Sequence, residues 1–371
     1  MSAGPLLVRA DASVQMGTGH VMRCLALAQA WQDAGGEVVF AVAESSPVIE
    51  KRLCAERIHV VPVQDLPGSA QDGMRLRELV GHYRPDWVVV DGYQFSAEYH
   101  ASIRHGGCRV LVVDDCGSCG PYGADMVLNQ NLHAREEMYR NLAKDTELLL
   151  GPKFAMLRRE FNGWRGWRRE IAPVGRKILI TMGGSDPKNF SAQVCEVLRG
   201  LRADGVEIRI AVGSSNPHMA SLQSVAEKWE GMVRVEQNVS DMPELMAWAD
   251  IAVSSAGSTC WEICTLGLPA VLLVLAENQR PVAWELGRMG IAIHESWDEQ
   301  ATREEICGRV RSLLLSSGLR REMSKRGCEL VDGRGAERVV VAMRAESCTP
   351  REYPAPLHAA SPRKYGKGVG V

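Results

Sequence analysis

The chain lacks a strong charge of either sign. Its 43 Lys and Arg face 45 Asp and Glu, leaving a formal net charge of -2, so the electrostatic footprint of a protein whose main partner is nucleic acid is missing. Long hydrophobic runs are missing too: no window reaches the roughly eighteen consecutive apolar residues that a membrane-spanning helix needs, and no stable membrane association is expected. The first residues lead directly into an apolar strand pattern without a basic region, apolar run and small-residue cleavage site, so a standard signal peptide is not expected and the reading is cytoplasmic. Neither H-x-x-x-H nor H-E-x-x-H occurs, and the CxxC pair Cys116 and Cys119 has no second pair at zinc-site spacing. A Walker loop and a GxGxxG turn are both absent, which withdraws support from ATPase and hydride-transfer chemistry. No metal and no cofactor are expected.

What is present is a chain of 371 residues, enough for two domains. Most of the 11 cysteines sit singly beside apolar residues and read as small core residues of a reduced protein. In the first half, apolar runs at 6–8, 38–42, 59–62, 87–90, 110–113 and 126–128 read as strands, with room between several of them for a crossover helix. The first helix is expected to start near Gly19 or His20 and to run to about Ala34, where Gly35-Gly36 stops it. A second alternation places strands at 178–181, 207–212, 233–236, 250–253, 270–274 and 292–293. This cadence predicts two open, doubly wound α/β domains, each Rossmann-like, with a ligand cleft between the carboxyl edges of their sheets. The boundaries are 1–160 for the first domain, 161–175 for a linker, 176–346 for the second domain and 347–371 for a Pro-, Gly- and Lys-rich tail expected to be disordered. The arginines around Trp164 and Trp167 read as an interdomain connection with charged faces.

Several strand ends carry polar groups suited to chemistry. Gly17-Thr18-Gly19 allows a tight turn before a helix whose amides can face an anion, with His20 in the first turn as a candidate proton acceptor. Arg9, Asp11 and Arg23 lie nearby in sequence. Asp91 and Tyr93 follow one strand and Asp114-Asp115 the next. A carboxylate there either orients His20, holds a sugar hydroxyl or caps a helix. Asn129-Gln130-Asn131 suits acetamido groups or a turn equally. In the second half, Gly183-Gly184-Ser185-Asp186 makes a candidate diphosphate cradle. The stretch Ser255-Ala256-Gly257-Ser258 offers amides and hydroxyls to phosphate without any lysine. Glu262 either takes the hydroxyls of a ribose or closes a capping box with Thr259. Asn278 and Gln279 end another strand and can reach phosphate or sugar.

Taken together, RADASVQMGTGHVMRCLALA, MGGSDPKN, SSAGSTCWE and ENQ resemble the UDP-2,4-diacetamido-2,4,6-trideoxy-β-L-altropyranose hydrolase family of pseudaminic acid biosynthesis, over roughly 6–344. The second-domain motif is shared more broadly with enzymes like the UDP-N-acetylglucosamine transferase that makes lipid II. The resemblance implies the glycosyltransferase-B architecture and a metal-independent hydrolase of a UDP-linked diacetamido-trideoxy sugar, with inversion. His20 would activate the water, Tyr93 would lie near the reacting sugar, and Gly183 to Asp186, Ser255 to Ser258, Glu262 and Gln279 would hold the nucleotide. A glycosyltransferase, or a binding protein without turnover, would use the same cleft. Spacing says nothing about oligomeric state.

Overall fold

A computed structural model describes residues 4–346, apart from 14–15, 105–107, 118–119, 121, 141, 143–144, 214 and 298–300. The first sheet is built from β1 (Leu6–Ala10), β2 (Val38–Val42), β3 (His59–Pro62), β4 (Trp87–Asp91), β5 (Arg109–Val113), β6 (Met126–Asn129) and β7 (Glu147–Leu150). The second contains β8 (Lys177–Thr181), β9 (Glu207–Val212), β10 (Val233–Gln237), β11 (Ile251–Ser255), β12 (Ala270–Val274) and β13 (Ala292–Ser296). All the pairings are parallel, in the orders β3-β2-β1-β4-β5-β6-β7 and β10-β9-β8-β11-β12-β13. Central strands such as β1, β4 and β12 are buried at every residue, as a parallel sheet with helices on both faces requires. This is the two-domain glycosyltransferase-B architecture.

The helices are α1 (Gly19–Asp33), α2 (Pro47–Ala55), α3 (Ala70–Tyr83) and α4 (Ala97–Arg104) around the first sheet. The remainder are α5 (Phe190–Val197), α6 (Met219–Glu227), α7 (Met242–Trp248), α8 (Thr259–Thr265), α9 (Arg280–Arg288), α10 (Ala301–Leu315), α11 (Ser317–Leu330) and α12 (Gly335–Glu346). The helix α12, grouped by its sequence position with the second domain, packs instead on the first. Ala336, Val339, Val340 and Met343 join Trp31, Trp87 and Leu25 in one core, and Trp87 Nε1 donates to the Met343 carbonyl at 3.0 Å. The chain therefore crosses between the domains twice, once before β8 and once before α12.

In both sheets the strand order reverses direction beside the first strand of the domain, between β1 and β4 and between β8 and β11. Loops leaving neighbouring strands there diverge to opposite faces and open a crevice at the carboxyl edge. The two crevices face each other. A methyl group on Gly184, after β8, would lie 2.0 Å from Thr18 Oγ1, and one on Gly19 would lie 3.7 Å from Ser258 Oγ. The connection between the domains starts before the expected residue 161, since Ala155 and Leu157 already pack in the second-domain core. It is tied to both sides: Arg159 bonds Asp33, Glu56 and the Gln29 carbonyl of the first domain, whereas Arg169 bonds the carbonyls of Met246, Ala247, Ala249, Leu266 and Gly267 in the second. Cys119 and the tail at 347–371 lie outside the described residues, so the CxxC and tail readings find no structural counterpart here.

Candidate functional site

A cavity of about 800 Å³ lies between the two sheet edges. Its first-domain wall begins where β1 ends. The chain turns through Ser13 and Gly17, with Gly17 N donating to the Ser13 carbonyl at 2.8 Å and Gly17 at φ 82°, a backbone region that favours glycine. It then enters α1, placing His20 on the second helical residue and in the cavity wall. Asp91 is the last residue of β4 and pairs in register with Ala10, the last of β1. Because β4 neighbours β1, the helix that leaves β1 starts beside the Asp91 carboxylate.

His20 Nδ1 lies 2.7 Å from Asp91 Oδ1. Arg23, one turn further along α1, clamps the same carboxylate at 2.6 Å through both Nε and Nη2, and reaches Asp115 at 2.7 Å through Nη1. Full burial alone would raise the Asp91 pKa, but the charge of Arg23 and then that of His20 outweigh it and hold the carboxyl well below the usual carboxylate range. An ionised Asp91 only accepts hydrogen bonds, so Nδ1 carries a proton, and whenever the ring is neutral it is Nε2 that holds the lone pair. Arg23 Nη2 and Nδ1, at 3.3 Å, are then both donors and make no bond with each other. Tyr93 stands over the histidine, with ring centroids 5.1 Å apart in an edge-to-face arrangement, and bridges Asp115 at 3.5 Å and Asn278 of the second domain at 3.4 Å. Burial is the main reason the Tyr93 phenol is pushed up to about 12, with the Asp115 charge adding to it.

The opposite wall includes backbone and small side chains: Gly183, Gly184 and Ser185 after β8, and Ser255 at the end of β11 with Ala256, Gly257 and Ser258 after it, with Asn278 and Gln279 at one side. A wall of this composition lets an oxyanion approach main-chain amides closely. Glu262 also faces the cavity, and its Oε1 accepts from Arg158 Nη2 at 2.8 Å. Among the described residues no side chain caps the start of α8, so the capping-box reading of Thr259 and Glu262 gives way to an ion pair with the linker.

Some expected site residues do different work. Arg9 and Asp11 do not line the cavity: they are fully buried, 2.6 Å apart, and join Asp72, whose carboxylate takes Arg9 at 3.0 and 3.1 Å. A guanidinium pointing into a parallel sheet needs such partners, and Asp11 in turn accepts from the amides of Ala43 and Glu44. Asn129 is buried as well, donating to Tyr139 Oη at 2.8 Å and accepting from Asn131 N, so it shapes the loop after β6. Asp186 lines the cavity edge, but its two oxygens accept from Phe190 N and Ser191 N at the start of α5. Gln279 accepts from Leu275 N through Oε1. Asp91 itself has no exposure and acts through His20. Sequence reasoning left Arg158 as a charged linker face and assigned no role to Arg52 or Glu160, since their place in the wall depends on how two distant segments meet.

The glycosyltransferase family 28 C-terminal domain matches residues 178–327. An uncharacterized protein of Methanocaldococcus jannaschii is 27% identical over 277 residues, 73% of this chain and 55% of that protein, so the chain spans about half of that relative. The UDP-2,4-diacetamido-2,4,6-trideoxy-beta-L-altropyranose hydrolase of Campylobacter jejuni is 29% identical over 78% of this chain and 98% of its own length. In three dimensions the chain is similar to Acinetobacter baumannii MurG, with a TM-score of 0.63 at 17% identity, covering 92% of this chain and 99% of that one, a likeness of fold. Four further relatives, 26–28% identical, are UDP-N-acetylglucosamine–N-acetylmuramyl-(pentapeptide) pyrophosphoryl-undecaprenol N-acetylglucosamine transferases. That overturns the expectation of a hydrolase. Its physical weakness is that the motifs behind it supply glycine-serine loops and a histidine, and such groups suit water and any other attacking hydroxyl alike. Among the described residues no cluster of three or more His, Cys, Asp and Glu is placed to hold a metal, and no helix is long and apolar enough to cross a membrane.

Proposed function

We propose that the protein is a glycosyl-transfer enzyme that uses a UDP-sugar as donor. The observation that supports glycosyl chemistry on a UDP-sugar is the His20–Asp91 pair facing a wall of glycine and serine loops across one cavity; the transferase relatives favour an acceptor hydroxyl over water. The nucleotide would lie against the second domain. Its diphosphate would meet the amides of 183–185 and 255–258, and its ribose would meet Glu262. The anomeric carbon would then point toward the first-domain wall.

His20 Nε2 would take the proton of an acceptor hydroxyl as that oxygen attacks the anomeric carbon. The bond between that carbon and the β-phosphate oxygen breaks, the electron pair leaves with UDP, and the configuration inverts. Asp91 steadies the imidazolium that forms. A protein that only binds the nucleotide sugar would have no use for a buried carboxylate fixing the histidine tautomer, and this favours turnover.

The test is incubation with UDP-N-acetylhexosamines, with and without a panel of hydroxyl acceptors, reading UDP release and the sugar product. Transfer that depends on an acceptor supports the reading. UDP release at the same rate without any acceptor, with free sugar as the product, would overturn it in favour of water as the attacking group.

A further inference from the structure

We propose that Arg158 is a positioning residue for nucleotide recognition: held in the linker, it fixes the Glu262 carboxylate in the orientation that receives the ribose hydroxyls. The inference rests on the UDP-sugar reading of the cleft and adds a residue and a mechanism to it.

The geometry is a row of alternating charges along the cavity wall. Arg52 of α2 meets Glu160 Oε2 at 3.2 Å, Glu160 Oε1 meets Arg158 Nη1 at 3.0 Å, and Arg158 Nη2 meets Glu262 Oε1 at 2.8 Å. All four side chains line the cavity. Arg52 belongs to the first domain, Arg158 and Glu160 to the connection between domains, and Glu262 to the second domain. The Arg158 guanidinium also lies over the Phe161 ring, with its central carbon 5.8 Å from the ring centroid, and Phe161 is buried in the second-domain core. Arg158 is thus held by packing as well as by charge, and its fork offers separate nitrogens to the two carboxylates.

The arrangement leaves Glu262 half used. Oε1 accepts from Arg158, while the second oxygen and the remaining lone pair of the first can accept from a vicinal diol. Burial raises the Glu262 pKa and Arg158 opposes it, so the arginine favours the ionised form, the stronger acceptor for hydroxyl donors. Without Arg158 the carboxylate would lose both its orientation and its counter-charge. Arg158 need not touch the nucleotide for this role.

The experiment measures binding of UDP and of 2′-deoxy-UDP to the full chain and to Arg158→Gln and Arg158→Lys by titration calorimetry, with thermal melts to confirm folding. The expected result is that the parent protein prefers UDP by about tenfold, the worth of one hydrogen bond to a charged group, that Arg158→Gln loses most of this preference, and that Arg158→Lys keeps part of it. A purely structural role would weaken both nucleotides equally and leave their ratio unchanged, which overturns the proposal. If the parent protein binds UDP without preferring it over the deoxy form, the Glu262 assignment fails and the proposal with it. If neither protein binds UDP, the UDP-sugar reading itself fails. Unfolding of Arg158→Gln shifts the decision to Arg158→Lys, with Glu262→Gln as the reference for complete loss: a UDP preference equal to the parent's overturns the proposal, and one lowered toward that of Glu262→Gln supports it.

Discussion

Asp91 Oδ1 sits 2.7 Å from His20 Nδ1 while Arg23 grips both oxygens of the same carboxylate. The aspartate therefore stays ionised and fixes the tautomer of the neutral imidazole, so the proposed base is Nε2. Replacing His20 by Ala should lower kcat by about 10²–10⁴-fold, the usual contribution of a general base, and leave the UDP dissociation constant within about twofold. Asp91→Asn should lower kcat as well, because an amide can donate to Nδ1 and stabilise the other tautomer. Steady-state kinetics with a parallel UDP titration decide the point, and near-normal turnover in His20→Ala would remove the histidine from the mechanism.

Gly184 and Thr18 belong to different domains, yet a methyl group on Gly184 would meet Thr18 Oγ1 at 2.0 Å, Cγ2 at 2.8 Å and Cβ at 2.9 Å. A β-branched side chain at the start of α1 has few rotamers with which to withdraw. Gly184→Ala should therefore keep the two loops apart, raise KM and lower kcat/KM by about tenfold or more, since misplacing a loop by an ångström disturbs the reacting geometry. Adding Thr18→Gly should restore much of the loss, because Thr18 makes no side-chain cap bond to α1 that the change would remove. Equal kinetics in the single and double variants would show that the contact does not limit closure.

Most strands and the two-domain α/β class were legible because each buried parallel strand is a short apolar run. The strand β7 was missed: its three leucines follow a glutamate at the sheet edge, too short a run to show a period. His20 and the serine-glycine loop were legible because they follow strands directly and open helices. Arg9 and Asp11 misled for the same reason. Closeness to a strand end in sequence does not tell which face of the sheet a side chain takes, and these two turn toward Asp72 of α3. The Arg158–Glu262 contact spans 104 positions and depends on domain packing, so no local pattern announces it. The return of α12 to the first domain is hidden likewise, since its apolar spacing would suit a groove on either domain.

His100 is buried in α4, and its Nδ1 has no hydrogen-bond partner among the described residues. Burial pushes its pKa down to about 4 from 6.5, with the charge of Asp114 opposing the shift. A folded-state value below the unfolded one means that the unfolded chain takes up the proton first. Stability from this group is full above pH 6.5 and is lost as pH falls toward 4, by something on the order of 3 kcal/mol. Urea midpoints of the parent and His100→Phe measured across that window should converge toward acid, the variant showing the shallower slope. Parallel curves would mean that His100 binds its proton alike in the folded and unfolded chain, which removes the predicted dependence.

Met343 is fully buried in the first-domain core, and its carbonyl accepts from Trp87 Nε1. The residue reaches that position only after the chain has completed the second sheet, so the first domain is closed by a segment that follows the whole second sheet in sequence. Met343→Ala would remove three heavy side-chain atoms from a close-packed site and should cost about 2–5 kcal/mol. The backbone carbonyl remains, so the loss is one of packing rather than of the Trp87 hydrogen bond. Because Met343 belongs to the core shared with β1, β4 and α1, hydrogen exchange should accelerate there well before it does in β8, β11 and β12. Uniform acceleration in both sheets would instead mean that the two domains unfold as one unit, with α12 as part of what couples them.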